Sequence, residues 1–167
     1  MAFNPDDFFL MYNQWDIDPE NYIEFGYDGL LIHNLFIKNA VSQVRIFSEN
    51  QQFNDDLNIE LNNFKLDDVF RIIEKDTSFV KGTVDGNAIL KRVNNTYGVI
   101  ADAKISNLLV SEVPVGDVTI KATNPETGRF DLDVNLSGAD NNLSAVGYFI
   151  AGDGGNSVNV RTDVQSL

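Results

Sequence analysis

Residues 79–90 read FVKGTVDGNAIL, and they decide the fold. Val80, Gly82, Val84, Gly86, Ala88 and Leu90 share one parity; Lys81, Thr83, Asp85 and Asn87 hold the other. A strand turns successive side chains to opposite faces, so this spacing gives one apolar face and one wet face. The same alternation recurs downstream. Val99, Ala101, Ala103 and Ile105 continue it, then Val118, Ile120 and Ala122. Phe130, Leu132, Val134 and Leu136 stand against Arg129, Asp131, Asp133 and Asn135. Val158 and Val160 alternate with Asn159 and Arg161.

Working outward, strands are expected at 21–27, 30–38, 41–48 and 57–62, with Asp28-Gly29 as a hairpin turn. Further strands are expected at 79–92, 97–106, 116–123, 128–137, 143–151 and 157–164. Short polar connections such as Val93-Asn94-Asn95 and Asp140-Asn141-Asn142 make consecutive strands antiparallel neighbours. Residues 1–18 read as irregular and aromatic-rich. The period changes once: Leu66, Val69, Phe70 and Ile73 fall at helical spacing, predicting one short helix over 67–74. Asp67 and Asp68 suit its first turn. A weak internal likeness links Leu57-Asn58-Ile59-Glu60-Leu61 with Val158-Asn159-Val160-Arg161-Thr162.

The expected fold is all-β: a long antiparallel sheet folded over into an apolar groove, in one continuous domain. Residues 1–63 form its strand-rich N-terminal part, 64–76 the short helix, and 77–167 the repeated strands. Val84, Leu90, Val99, Ile105, Val118, Ile120, Leu132 and Val134 are expected to share its apolar interior.

With 167 residues, the chain can bury a core. Its 12 Lys and Arg against 25 Asp and Glu give a net charge of -13, which disfavours nucleic acid and anionic headgroups as partners. It has no Cys, which excludes disulfides and zinc–thiolate sites. No apolar stretch approaches the ~18 residues that span a bilayer, and the N-terminus lacks the plan of a signal peptide.

Catalytic chemistry finds little here. His33 is the only histidine and stands between Ile32 and Asn34, as a strand residue would. The carboxylate pairs Asp16/Asp18 and Asp131/Asp133 sit at strand spacing on a solvated face. Residues 152–156, GDGGN, lack the ligand series of a calcium loop. Gly82 and Gly86 are not followed by the Lys and Ser/Thr of a phosphate loop, so a bend or close backbone approach is the better reading. The expectation is a non-enzymatic protein with no cofactor and no metal.

Phe64-x-Leu66, the short helix, the 80–90 alternation, Ala103-x-Ile105-x-Asn107-Leu108 and Val115-Gly116-x-Val118-x-Ile120 occur in that order. Together they resemble the TamB family, the translocation and assembly module subunit of Gram-negative envelopes within the AsmA-like superfamily. The Asn- and Asp-rich flavour suggests a Bacteroidetes-like member. The resemblance is clearest over 57–164. It implies a β-taco with an apolar inside that carries or shields lipid acyl chains, or nascent outer-membrane protein segments. It also implies the periplasm, an inner-membrane anchor outside this chain, and an outer-membrane barrel partner for the full-length protein. The chain lacks that anchor and is far too short to cross a periplasm, so it is expected to be an internal segment. Two alternatives stand beside this reading. One is a surface β-solenoid with a closed core. The other is a carbohydrate-binding β-sandwich using Tyr12, Trp15, Tyr22 and Tyr27.

Overall fold

The computed structural model describes residues 9–10, 13–27, 29–68, 79–93, 96–151 and 155–164. The fold is all-β, with one short helix. Strands β1 (Phe9–Leu10) and β2 (Asn13–Gln14) pair alone, as do β4 (Ile23–Gly26) and β5 (Gly29–Ile32). The other ten strands form one antiparallel sheet, in the order β14-β13-β12-β11-β10-β9-β8-β7-β6-β3. They are β3 (Asp16–Ile17), β6 (Leu35–Lys38), β7 (Gln43–Ser48), β8 (Leu57–Lys65) and β9 (Val80–Val93). Then follow β10 (Thr96–Val110), β11 (Val113–Glu126), β12 (Arg129–Gly138), β13 (Asn141–Ile150) and β14 (Ser157–Val164). The sheet is open: β14 lies at one edge and the two-residue β3 at the other.

Three expectations need correction. Residues 1–18 are not all irregular, since β1, β2 and β3 fall among them. The stretch 30–38 is not one strand but two, parted at His33 and Asn34. The hairpin β4–β5 stands outside the long sheet, so the strands are not all one continuous surface. Helical backbone begins at Leu66 and is described to Asp68; the rest of the expected helix, with Val69, Phe70 and Ile73, lies outside the described residues.

Two interior bulges explain where parity changes. In β8 the register slips between Leu61 and Phe64, and Asn63 takes φ 49°. In β10 it slips after Ile105, and Asn107 takes φ 54°. Asn tolerates this left-handed backbone better than most residues. Each bulged amide is held by a carboxylate on the next strand. Asn63 N–H donates to Asp85 Oδ1 at 2.7 Å, and Asn107 N–H donates to Asp117 Oδ1 at 2.9 Å. The bulges therefore recur as one device on alternate strands.

Asp117 also takes an ion pair from Lys104 at 2.8 Å. That hydrogen bond, and then the Asn107 amide, hold its carboxyl below the ordinary carboxylate value. A lowered folded value stabilises above the unfolded pKa of about 4, and the gain is lost as pH falls through the folded value. Asp117→Asn is therefore expected to lower stability at neutral pH, with the difference from wild type shrinking below about pH 4. Urea midpoints at neutral and acid pH check this. A difference that is constant across that range would assign Asp117 no part in the acid limb.

Packing is uneven along the sheet. Trp15, Ile17, Ile23, Ile32 and Val44 are buried at the β3 end, together with Ser42 and Ser48. Ile32 N–H donates to Ser48 Oγ at 3.0 Å, and Ser48 shares the apolar face with Val44 and Ile46. The β4–β5 hairpin thus covers that face at β7. Trp15 meets Phe64 with ring centroids 6.5 Å apart. Phe64 belongs to β8, three strands from β3 and so about 14 Å away in a flat sheet. The indole must lie back over the apolar face. Towards β14 the cover thins, and among the described later apolar residues only Val84, Ala122, Phe130 and Ala151 are buried.

Candidate functional site

The register builds the candidate site row by row. Directly paired residues on adjacent strands lie on the same face. One row runs Phe64, Val84, Ile105, Val118, Leu136, Leu143 and Val164 from β8 to β14. The next runs Leu61, Gly86, Ala103, Ile120, Val134, Ala145 and Thr162. The third runs Ile59, Ala88, Ala101, Ala122, Leu132, Gly147 and Val160. A fourth joins Leu57, Leu90 and Val99, and beyond β11 it resumes at Phe130, Phe149 and Val158.

Each of the eight residues singled out from sequence falls in these rows. Val84, Ile105 and Val118 stand side by side in the first. Ile120 pairs with Val134 in the second. Leu132 lies in the third, and Leu90 pairs with Val99 in the fourth. Their surroundings differ. Val84 is buried, whereas Val99 and Leu132 are 44% and 41% exposed. The other five are half-buried.

The two middle rows mix small and large side chains, and their small positions cluster on β9 and β10. On β9 and β10 the middle positions are Gly86, Ala88, Ala101 and Ala103. Gly86 is required there by close approach: at φ 146°, an added Cβ would lie 2.4 Å from the Asp102 carbonyl oxygen. A depression of about 370 Å³ lies on the apolar face between β10 and β14. Ala101, Ala122 and Gly147 lie in it, flanked by Val99, Phe130, Leu132, Phe149, Val158 and Val160. Phe130 and Phe149 pack with centroids 6.2 Å apart. The Phe130 ring also reaches Gly98 on β10, where an added Cβ would come within 1.8 Å of it. Sequence reasoning missed Phe130, Phe149, Val158 and Val160 as members of this slot. The parity of Phe130, Val158 and Val160 was visible; their convergence with Phe149 was not, because it depends on the register between strands.

The opposite face is wetter but not uniformly polar. Ile89 pairs with Ile100 there, and Val146 and Ile150 are exposed. A second depression on that face, about 520 Å³, holds Lys121, Arg129, Asp131, Tyr148 and Arg161. One of its cations, Arg129, is already engaged. Arg129 Nε donates to Asp131 at 2.7 Å, its Nη1 lies 3.8 Å from Glu126, and the guanidinium carbon sits 5.0 Å from the Tyr148 ring centroid.

The remaining candidates resolve into local bonding. His33 is exposed, its Nδ1 engaged by Gln51 Oε1 and its backbone amide donating to Tyr22. Asp18 accepts from Asn34 Nδ2 at 2.9 Å and the Glu20 amide at 2.8 Å, and Asp133 accepts from Asn135. Among the described residues no cluster of His, Asp and Glu could hold a metal ion. Residues 152–154 of the Gly-rich loop lie outside the described residues. Of the four aromatics considered for sugar stacking, Tyr12 also lies outside them. Trp15 is 1% exposed, and only Tyr22 and Tyr27 face water. No helix among the described residues is long and apolar enough to cross a membrane. The chain matches no protein-family model, no curated protein and no solved structure.

Proposed function

We propose that this chain is a non-enzymatic segment whose apolar sheet face forms a taco-like slot holding lipid acyl chains. The observation that carries the reading is a contradiction in solvent exposure. Four apolar rows cross the sheet, yet Val99, Leu132, Val158 and Val160 on them stay 41–69% exposed. A closed solenoid core would cover those side chains. Apolar surface left open in this way favours an apolar occupant.

Acyl chains suit it for an energetic reason. Burial contributes about 0.8 kcal/mol per CH₂, so ten half-covered methylenes contribute about 4 kcal/mol and ten fully covered ones about 8. Before the cost of association these correspond to roughly millimolar and micromolar affinity. Contacts of this kind have no direction, so a bound chain can slide. The likeness to the TamB family extends the reading to a longer cell-envelope bridge, anchored in the inner membrane and meeting an outer-membrane barrel. Nascent outer-membrane protein segments are its other possible cargo.

Native mass spectrometry of the purified chain, with titration of a fluorescent fatty acid, tests the slot. Lipid adducts and a saturable, blue-shifted signal are expected. A chain free of lipid that gives no saturable signal would overturn the reading.

A further inference from the structure

The β4–β5 hairpin presents aromatic rings and carboxylates together. Residues 1–37 hold seven Asp and Glu and no Lys or Arg, and 49–56 add three acids and again no Lys or Arg. These two stretches meet at the hairpin. The Asn54 amide donates to the Leu30 carbonyl at 3.0 Å, and the Asn54 side chain lies where a Cβ on Gly29 would be. The base of the hairpin is anchored, because Ile23 pairs with Ile32 and both are buried. One step outward Phe25 pairs with Leu30 and is 71% exposed, and Tyr27 at the turn is fully exposed. Tyr22, just before β4, is 42% exposed, and its hydroxyl donates to Glu24 Oε2 at 3.0 Å. Among the described residues no Lys or Arg forms an ion pair with Glu20, Glu24, Glu49 or Asp55.

Elsewhere the chain brings ring and carboxylate together around an arginine. The Arg45 guanidinium carbon lies 4.7 Å from the Phe47 ring centroid, and its Nη1 lies 3.8 Å from Glu60. Arg129 sits 5.0 Å from the Tyr148 centroid and donates to Asp131 at 2.7 Å. A planar guanidinium serves both neighbours at once, stacking on the ring and forking to the carboxylate. At the hairpin the rings and the carboxylates are present, and the described residues supply no arginine. We infer that the β4–β5 hairpin docks an arginine-rich segment of a partner protein. Charge complementarity selects this occupant: anionic headgroups and nucleic acid would meet like charge there.

Fluorescence anisotropy of labelled octa-arginine, titrated with the whole chain in physiological salt, tests the surface. Saturable binding is expected, with octa-lysine several-fold weaker because an ammonium neither forks nor stacks as well. Phe25→Ser/Tyr27→Ser keeps the charge and should weaken octa-arginine about tenfold. Glu20→Gln/Glu24→Gln should do the same, while the Gln at 24 can still accept from Tyr22. Asp102→Asn/Asp140→Asn removes equal charge from β10 and the β12–β13 turn, and should change binding less than twofold. Circular dichroism checks that these exposed substitutions leave the fold intact. Absence of saturable binding would overturn the inference. So would equal losses from the two charge-removing pairs, or indifference to the loss of both rings, since either would make the binding mere attraction to the -13 charge. Phosphatidylcholine vesicles that bind through Phe25 and Tyr27, where octa-arginine does not, would reassign the hairpin to a bilayer surface.

Discussion

Replacing Trp15 by alanine is expected to destabilise the chain by about 3–5 kcal/mol, the range for emptying a buried Trp or Phe site. A domain of ordinary stability has only about 5–15 kcal/mol to lose. The indole is 1% exposed and packs against Phe64 from across three strands. It is therefore the wedge that joins the N-terminal strands to the row starting at β8. Its removal leaves a cavity that β3 cannot fill, because β3 pairs with β6 through Asp16 and Ile17 alone. Trp15→Phe is expected to cost much less. The buried Nε1 has no hydrogen-bond partner among the described residues, and deleting that N–H removes an unsatisfied donor. Urea unfolding of the two variants measures the contrast. If Trp15→Phe costs as much as Trp15→Ala, the indole is held by something other than shape.

Much of this architecture was legible because period two is a local signal. Residues 80–90 declare their two faces without knowledge of any neighbour, and the strands that follow do the same. What was not legible lies where that signal is short or silent. The strands β1, β2 and β3 have two residues each, too few to display a period. The run 30–38, LLIHNLFIK, is apolar at most positions, so parity could not show its break at His33 and Asn34. There His33 N–H turns to the Tyr22 carbonyl, while Asn34 is bound to Asp18 and Arg45. The bulges did leave a trace. Apolar positions switch from 57, 59 and 61 to 64 and 66, and from 103 and 105 to 108. The faces of the eight candidate residues were readable, but their exposure was not. Val84 and Val99 look alike in sequence. The first lies between Phe64 and Ile105, and the second beside a row that is interrupted at β11.

That difference in exposure gives the sharpest test of the slot. Val84→Asp and Leu132→Asp are expected to fail in different ways. Val84 is 8% exposed between large neighbours, so a carboxylate there would be buried without a partner. The cost of several kcal/mol should unfold a domain of ordinary stability. Leu132 is 41% exposed, and directly opposite it stand Ala122 and Gly147, which leave room for water around a new carboxylate. Leu132→Asp should therefore stay folded, with a melting temperature within a few degrees of wild type. It should nevertheless weaken fatty-acid binding at least tenfold, because an acyl chain would have to pass a hydrated charge. Leu132→Asn separates charge from polarity, a distinction that matters in a chain already at -13. A folded Leu132→Asp chain with unchanged binding would remove the conduit reading. If both aspartate variants unfold alike, the rows are a covered core in solution, and a closed solenoid or sandwich becomes the better account.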